Sequence, residues 1–139
     1  MVLKRLEEEK CLDSFAESQK SRPPKRMFNL TSAGKKAFLV WLSTPVEHVR
    51  DFRIEFLGKM FFFDHLSLPG AKDLVEMQIR VLEKLLDKLR KLPGEEVTGF
   101  MKLAYGFKVR NVECLLSWLR QEARPFAKKK TSGERKEAV

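Results

Sequence analysis

The stretch Ser21-Arg22-Pro23-Pro24-Lys25-Arg26-Met27-Phe28-Asn29-Leu30-Thr31-Ser32-Ala33-Gly34 leaves the backbone little choice. Pro23 and Pro24 lock φ and carry no N–H, so they cannot continue a helix or a central strand. The reading is a loop tip over Ser18–Pro24. From Lys25 to Leu30, Phe28 and Leu30 alternate with Met27 and Asn29, the period of a half-buried strand. Thr31 stands where an N-cap belongs, ahead of the helical pattern Ala33, Ala37, Leu39, Val40, Leu42. Fourteen residues thus specify a turn, a strand and a helix start.

The residues upstream supply what that stretch needs. Val2 to Glu9 reads as the last turns of a helix, with Leu3 and Leu6 on one face. Lys10 to Glu17 alternates and reads as the first strand of a hairpin whose second strand is Lys25–Leu30. A two-stranded hairpin is marginal in water, so Phe28 and Leu30 require apolar partners on the flanking helices. A basic hairpin tip fused to a packed helix is the layout of a wing in a winged-helix fold. An ordinary surface hairpin with basic decoration has the same pattern, and these residues alone do not separate the two.

Charge adds a partner class. The 139 residues carry 28 Lys+Arg against 19 Asp+Glu, a net charge of +9. Between Ser18 and Val46 stand Lys20, Arg22, Lys25, Arg26, Lys35 and Lys36 with no acidic residue among them. A second basic excess begins at Arg124. Charge gathered in a hairpin and a tail suits a polyanion better than evenly spread solubility charge does. Cys11 and Cys114 lie far apart without metal-ligand companions, which implies reduced thiols and a cytoplasmic setting. No apolar leader opens the chain, and the apolar runs Ala37–Leu42 and Met60–Phe63 are far too short for a membrane span. The expectation is a protein with no membrane partner.

The rest of the chain reads as helix. Glu47 to Asp64 places Phe52, Phe56, Met60 and Phe63 three or four residues apart, a core stripe that could alternatively line a ligand pocket. Leu68-Pro69-Gly70 is a turn. Over Ala71–Leu92, Val75, Ile79, Leu82, Leu86 and Leu89 step in the a/d rhythm of a coiled coil. Glu76 with Arg80 and Asp87 with Lys91 are expected as i,i+4 ion pairs on its outer side. So broad a stripe in a small chain implies self-association, with Val75, Ile79, Leu82, Leu86, Leu89, Leu115, Trp118 and Leu119 as candidate interface residues. Pro93-Gly94 ends that helix. A further helical stretch covers Gly99–Arg124, with Gly106 as a potential kink, and a mobile basic tail follows from Pro125.

Taken together, the motifs resemble the PadR family of bacterial and archaeal transcriptional regulators. Leu3-Lys4-Arg5-Leu6-Glu7-Glu8-Glu9 resembles the family's helix end, Arg22 to Leu30 its wing, and Leu30-Thr31-Ser32-Ala33-Gly34 its leucine-threonine-x-x-glycine helix start. Arg53 to Phe62 and Ser117-Trp118-Leu119 continue the match, so the resemblance spans nearly all of residues 3–122. It implies a mainly α (α+β) fold: a partial winged helix with a two-stranded wing over 1–43, a helical dimerisation domain over 44–124, and a basic tail over 125–139. It implies double-stranded DNA as partner and a homodimer; members of the family can respond to small hydrophobic effectors, for which the phenylalanines at 56–63 and Trp118 could line a site, though no residue identifies the ligand. Lys20, Arg22, Lys25 and Arg26 become the wing residues that meet DNA, positioning the backbone without reading bases. By the family pattern Met1 falls near the end of the recognition helix, so the expected binding is weak, salt-sensitive and largely non-specific. Lys10 stands where the family usually has glycine, and Met27 and Phe28 where it has two tyrosines.

A helical dimerisation module with no DNA function of its own is the alternative, carried by the Val75–Leu89 stripe and the Leu115–Leu119 segment. An enzyme is the poorer expectation. The sequence offers no nucleophile–base–acid set, no metal cluster and no phosphate-cradling glycine loop, and it calls for no cofactor.

Overall fold

In a computed structural model, residues 2–91 and 99–131 are described, and they are mainly helical with one β-hairpin. The expected Pro93-Gly94 helix stop and the end of the chain beyond Thr131 lie outside the described residues. The chain divides into two compact units, Met1–Leu42 and Ser43–Val139.

The first unit is helix α1 (Val2–Glu8), strands β1 (Leu12–Gln19) and β2 (Arg22–Leu30), and helix α2 (Ser32–Ser43). The end of α1 is a Schellman turn: the Lys10 N–H donates to the Glu7 carbonyl and the Cys11 N–H to the Leu6 carbonyl, 2.9 and 2.8 Å. That turn requires a left-handed residue, and Lys10 takes φ 58°. A Cβ in this region costs about 1 kcal/mol relative to glycine, so the departure from glycine at position 10 is a small strain accepted by the turn.

The strands pair antiparallel from Leu12 opposite Leu30 to Gln19 opposite Arg22. The turn is only Lys20–Ser21, tighter than the Ser18–Pro24 tip expected from the prolines. Pro23 and Pro24 lie inside β2, where the register slips between Glu17 opposite Lys25 and Gln19 opposite Arg22. A bulge in a two-stranded ribbon leaves ladder positions unpaired, which is where residues without an N–H are tolerated.

Thr31 closes the unit. Its hydroxyl accepts from the Gly34 N–H at 3.0 Å, the N-cap bond expected from the sequence, and donates to the Lys10 carbonyl at 2.7 Å. Its own N–H donates to the Cys11 carbonyl at 3.1 Å. One threonine therefore starts α2 and ties it to the α1–β1 corner. Gly34 is buried against that corner: a Cβ there would sit 2.1 Å from the Cys11 carbonyl oxygen. Leu30, by contrast, is half exposed, so the hairpin leans less on apolar partners than its sequence implies.

The second unit holds a short 3-10 turn (Val49–Asp51), α3 (Phe52–His65), α4 (Ala71–Lys91), α5 (Gly99–Trp118), a π-helical turn (Leu119–Ala123) and α6 (Arg124–Thr131). α3 begins at Phe52 rather than Glu47. The backbone of Val46 explains this: its N–H donates to Gln78 Oε1 at 2.6 Å and its carbonyl accepts from Gln78 Nε2 at 2.9 Å, so neither group is free for a helix. Lys59, buried on α3, holds the same segment by donating to the Thr44 carbonyl at 2.5 Å while pairing with Glu55 at 2.9 Å. At its C-terminus α3 repeats the turn of α1, with Ser67 left-handed at φ 50° and Leu68 N–H on the Phe63 carbonyl.

The core of this unit lies among Phe52, Phe56, Met60 and Phe63 of α3, Leu74, Val75, Ile79 and Leu82 of α4, and Val112, Leu116 and Leu119. Phe52 stacks on Phe56 with centroids 4.7 Å apart, and both rings meet Trp118 edge-on at 6.2 and 6.0 Å. α5 runs through Gly106 without a break, and the helical path continues past Pro125 to Thr131 where a tail was expected. The wider π turn just before Pro125 gives its ring room against the preceding carbonyls and spares a hydrogen bond that proline cannot donate.

Three ion pairs set α4 against the C-terminal helices: Arg90 with Glu113 at 2.8 Å, Arg120 with Glu83 at 2.6 Å, and Arg124 with Glu76 at 2.7 Å. Arg124 grips both oxygens of Glu76 across the helices, while Arg80, the expected i,i+4 partner, adds its nearby charge. That hydrogen bonding, opposed by partial burial, holds the Glu76 carboxyl below its ordinary value.

Candidate nucleic-acid interface

Strand alternation decides where the hairpin cations point. Leu12, Ser14 and Ala16 face the same side as their partners Leu30, Phe28 and Arg26. Asp13, Phe15 and Glu17 share the opposite side with Asn29, Met27 and Lys25. Lys25 and Arg26, adjacent in sequence, therefore belong to different faces. The Arg26 face is the one toward α1, because Arg26 Nη2 donates to Glu7 Oε2 at 2.6 Å and to Ser14 Oγ at 3.0 Å. Its guanidinium also lies 5.4 Å from the centre of the Phe28 ring.

The four sequence candidates thus divide. Lys20 in the turn, Arg22 beside it and Lys25 are exposed at the distal end of the hairpin. Arg26 is exposed over 60% of its side chain yet is engaged by the body of the unit. Sequence reasoning missed Glu7, whose carboxylate accepts from the Ser14 hydroxyl through one oxygen and from Arg26 through the other. The hydrogen bond from Ser14, and then the nearby Arg26 charge, hold the Glu7 carboxyl below its usual range despite some desolvation. The alternation of β2 already carries the signal that separates Lys25 from Arg26. Nothing local reveals that Glu7 would meet Arg26, 19 residues away.

A distal group of cations on a narrow two-stranded ribbon suits phosphate contact. Arg22 supplies a planar fork and the lysines compact charges, none requiring a particular base. Lys35 and Lys36 are exposed at the start of α2 in the same unit, where their charge opposes the helix dipole.

The interface candidates of the second unit are also redistributed. Val75, Ile79, Leu82, Leu86 and Leu119 are at most 8% exposed, packed within the single chain. The a/d rhythm was real, but α5 and its continuation occupy the seam. Leu89, Leu115 and Trp118 are half-buried. The apolar surface left open is elsewhere: Phe100, Leu103 and Phe107 on α5 are 77, 70 and 71% exposed. Ile54, Leu57 and Phe61 form a second open stripe on α3. Of the aromatic residues named for an effector, Phe56 and Phe63 are buried and Trp118 meets Phe52 and Phe56 edge-on, while Phe61 is 57% exposed. Among the described residues, no helix is long and apolar enough to cross a membrane, and no group of three or more His, Cys, Asp or Glu could hold a metal ion.

No family model matches the chain, and no curated protein matches it. Among solved structures, the chain is similar to that of Bacillus subtilis PadR in complex with operator DNA. The identity is 26%, the match covers 88% of this chain and 74% of that one, and the TM-score is 0.42.

Proposed function

We propose that the protein is a PadR-like DNA-binding transcriptional regulator and no enzyme, with the β1–β2 hairpin as a wing on duplex phosphates. The observation that carries this reading is the hairpin itself: Lys20, Arg22 and Lys25 exposed at the end of a ribbon that Thr31 and Gly34 lock to the helices on either side. The motifs of the family resemblance agree with it, because the residues of the leucine-threonine-x-x-glycine signature are those that build this lock. Each of the three cations is expected to contribute about 0.9 to the slope of log affinity against log salt. Replacing all three by glutamine should therefore lower the slope by about 2.7 and weaken binding uniformly across sequences, as read by anisotropy of a labelled duplex. An unchanged slope would remove the hairpin from the interface.

The same reading includes a homodimer. Phe100, Leu103 and Phe107 recur at i, i+3 and i+7 on one side of α5, an exposed stripe suited to a second copy. Light scattering at micromolar concentration should give a dimer for the native chain and a monomer for Leu103→Asp, with helical circular dichroism retained by both. A native monomer, or an intact Leu103→Asp dimer, would exclude this stripe as the interface.

A further inference from the structure

We propose that Glu7 is an internal competitor for Arg26, holding one hairpin cation back from phosphate and so setting the strength of DNA binding. The proposal rests on the DNA-binding reading of the hairpin and concerns its regulation by a residue outside it.

Three contacts converge on the Arg26 guanidinium: Glu7 Oε2 at 2.6 Å, Ser14 Oγ at 3.0 Å and the Phe28 ring at 5.4 Å. A carboxylate and a phosphate diester present the same chemistry to a guanidinium, oxygen acceptors bearing negative charge. The two cannot both use the same N–H groups. While Glu7 holds Arg26, the hairpin presents Lys20, Arg22 and Lys25 as its distal charges. The Glu7 side chain is 29% exposed and that of Arg26 60%, so water and salt reach the pair and it can exchange. Ser14 steadies the competitor, since its hydroxyl donates to Glu7 Oε1 and leaves Oε2 aimed at Arg26. The lowered Glu7 pKa agrees with a carboxylate that stays ionised in this place. The cation–ring contact holds the guanidinium beside the hairpin strand, where release from Glu7 returns it to the ribbon's surface.

The test compares variants of the 139-residue chain on one labelled duplex over a salt series. Glu7→Gln should steepen the salt slope by about 0.9 and tighten binding roughly three- to tenfold at about 0.1 M salt, one added phosphate contact. Glu8→Gln removes the same formal charge from the same helix and should leave the slope unchanged. The gain from Glu7→Gln should vanish in an Arg26→Gln background. Glu7→Asp keeps the charge but draws the carboxylate back by one methylene, and it should also steepen the slope, which keeps the test open where Glu7→Gln loosens the hairpin. Equal effects of Glu7→Gln and Glu8→Gln, a gain that survives Arg26→Gln, or weaker binding by both Glu7 variants would overturn the competitor role. Should the triple glutamine variant of Lys20, Arg22 and Lys25 leave the slope unchanged, the hairpin leaves the interface and the competitor role falls with it. A slope that responds to the triple variant but not to Glu7 overturns the competitor alone.

Discussion

Gly34→Ala is expected to open the corner that holds the hairpin, at a cost of about 2–4 kcal/mol. The added methyl would lie 2.1 Å from the Cys11 carbonyl oxygen and 2.8 Å from Leu30 Cδ1. The leucine can rotate away, since its side chain is half exposed. The carbonyl cannot move as cheaply. It accepts the Thr31 N–H at 3.1 Å, and the neighbouring Lys10 carbonyl accepts the Thr31 hydroxyl at 2.7 Å. Relieving the clash by shifting the α1–β1 corner breaks those bonds; relieving it by shifting α2 breaks the cap from Thr31 to Gly34. Either way β1 and β2 lose an anchor, and a free two-stranded hairpin has little stability of its own. Hydrogen exchange should show lost protection at Thr31 and along β2, while α4 in the other unit keeps its own. Gly34→Ala with the Thr31 amide still protected would mean that the close approach does not hold in solution.

This corner was legible in the sequence because its chemistry is local. Threonine three residues before glycine, after an alternating strand, defines a cap by short-range hydrogen bonding. The left-handed turn at Lys10 was less legible, since lysine gives no sign of positive φ and only the family pattern marked the position for glycine. In α4 the apolar rhythm stood out, yet periodicity reports that a face is buried and not what buries it. Val75 to Leu86 proved to be sealed by α5 and its continuation. Phe100, Leu103 and Phe107, equally apolar and equally periodic, stay open. At the hairpin, prolines argued correctly against a regular central strand, but a bulge in an edge pair satisfies the same constraint without a long loop. Contacts such as Glu7 with Arg26 and Gln78 with Val46 join residues far apart in the chain, and composition or spacing carries no trace of them.

Gln78→Leu should be among the most damaging single changes in the second unit, although Gln78 touches neither DNA candidates nor the open apolar stripes. The side chain is fully buried and pairs with both polar groups of the Val46 backbone, as a neighbouring strand would. Leucine matches its volume closely, so the packing term stays small and the loss is polar. A buried N–H and a buried carbonyl are left without partners, a penalty of about 2–4 kcal/mol in all. Gln78→Glu isolates the cause. Its carboxylate can accept from the Val46 N–H but has nothing to donate to the Val46 carbonyl, and burial raises the pKa of the introduced acid. Protonation restores a donor and removes the buried charge. The sign follows: a group with a raised folded-state pKa stabilises below its unfolded value and loses that contribution as pH rises through the folded one. Gln78→Glu should therefore approach native stability in mild acid and fall away toward neutral pH, whereas the deficit of Gln78→Leu relative to the native chain should stay nearly constant. Urea unfolding of the three proteins across that range measures both trends. If Gln78→Leu unfolds at the native midpoint, the segment from Thr44 to Val46 is held by Lys59 and apolar packing alone, and the start of α3 at Phe52 needs another cause.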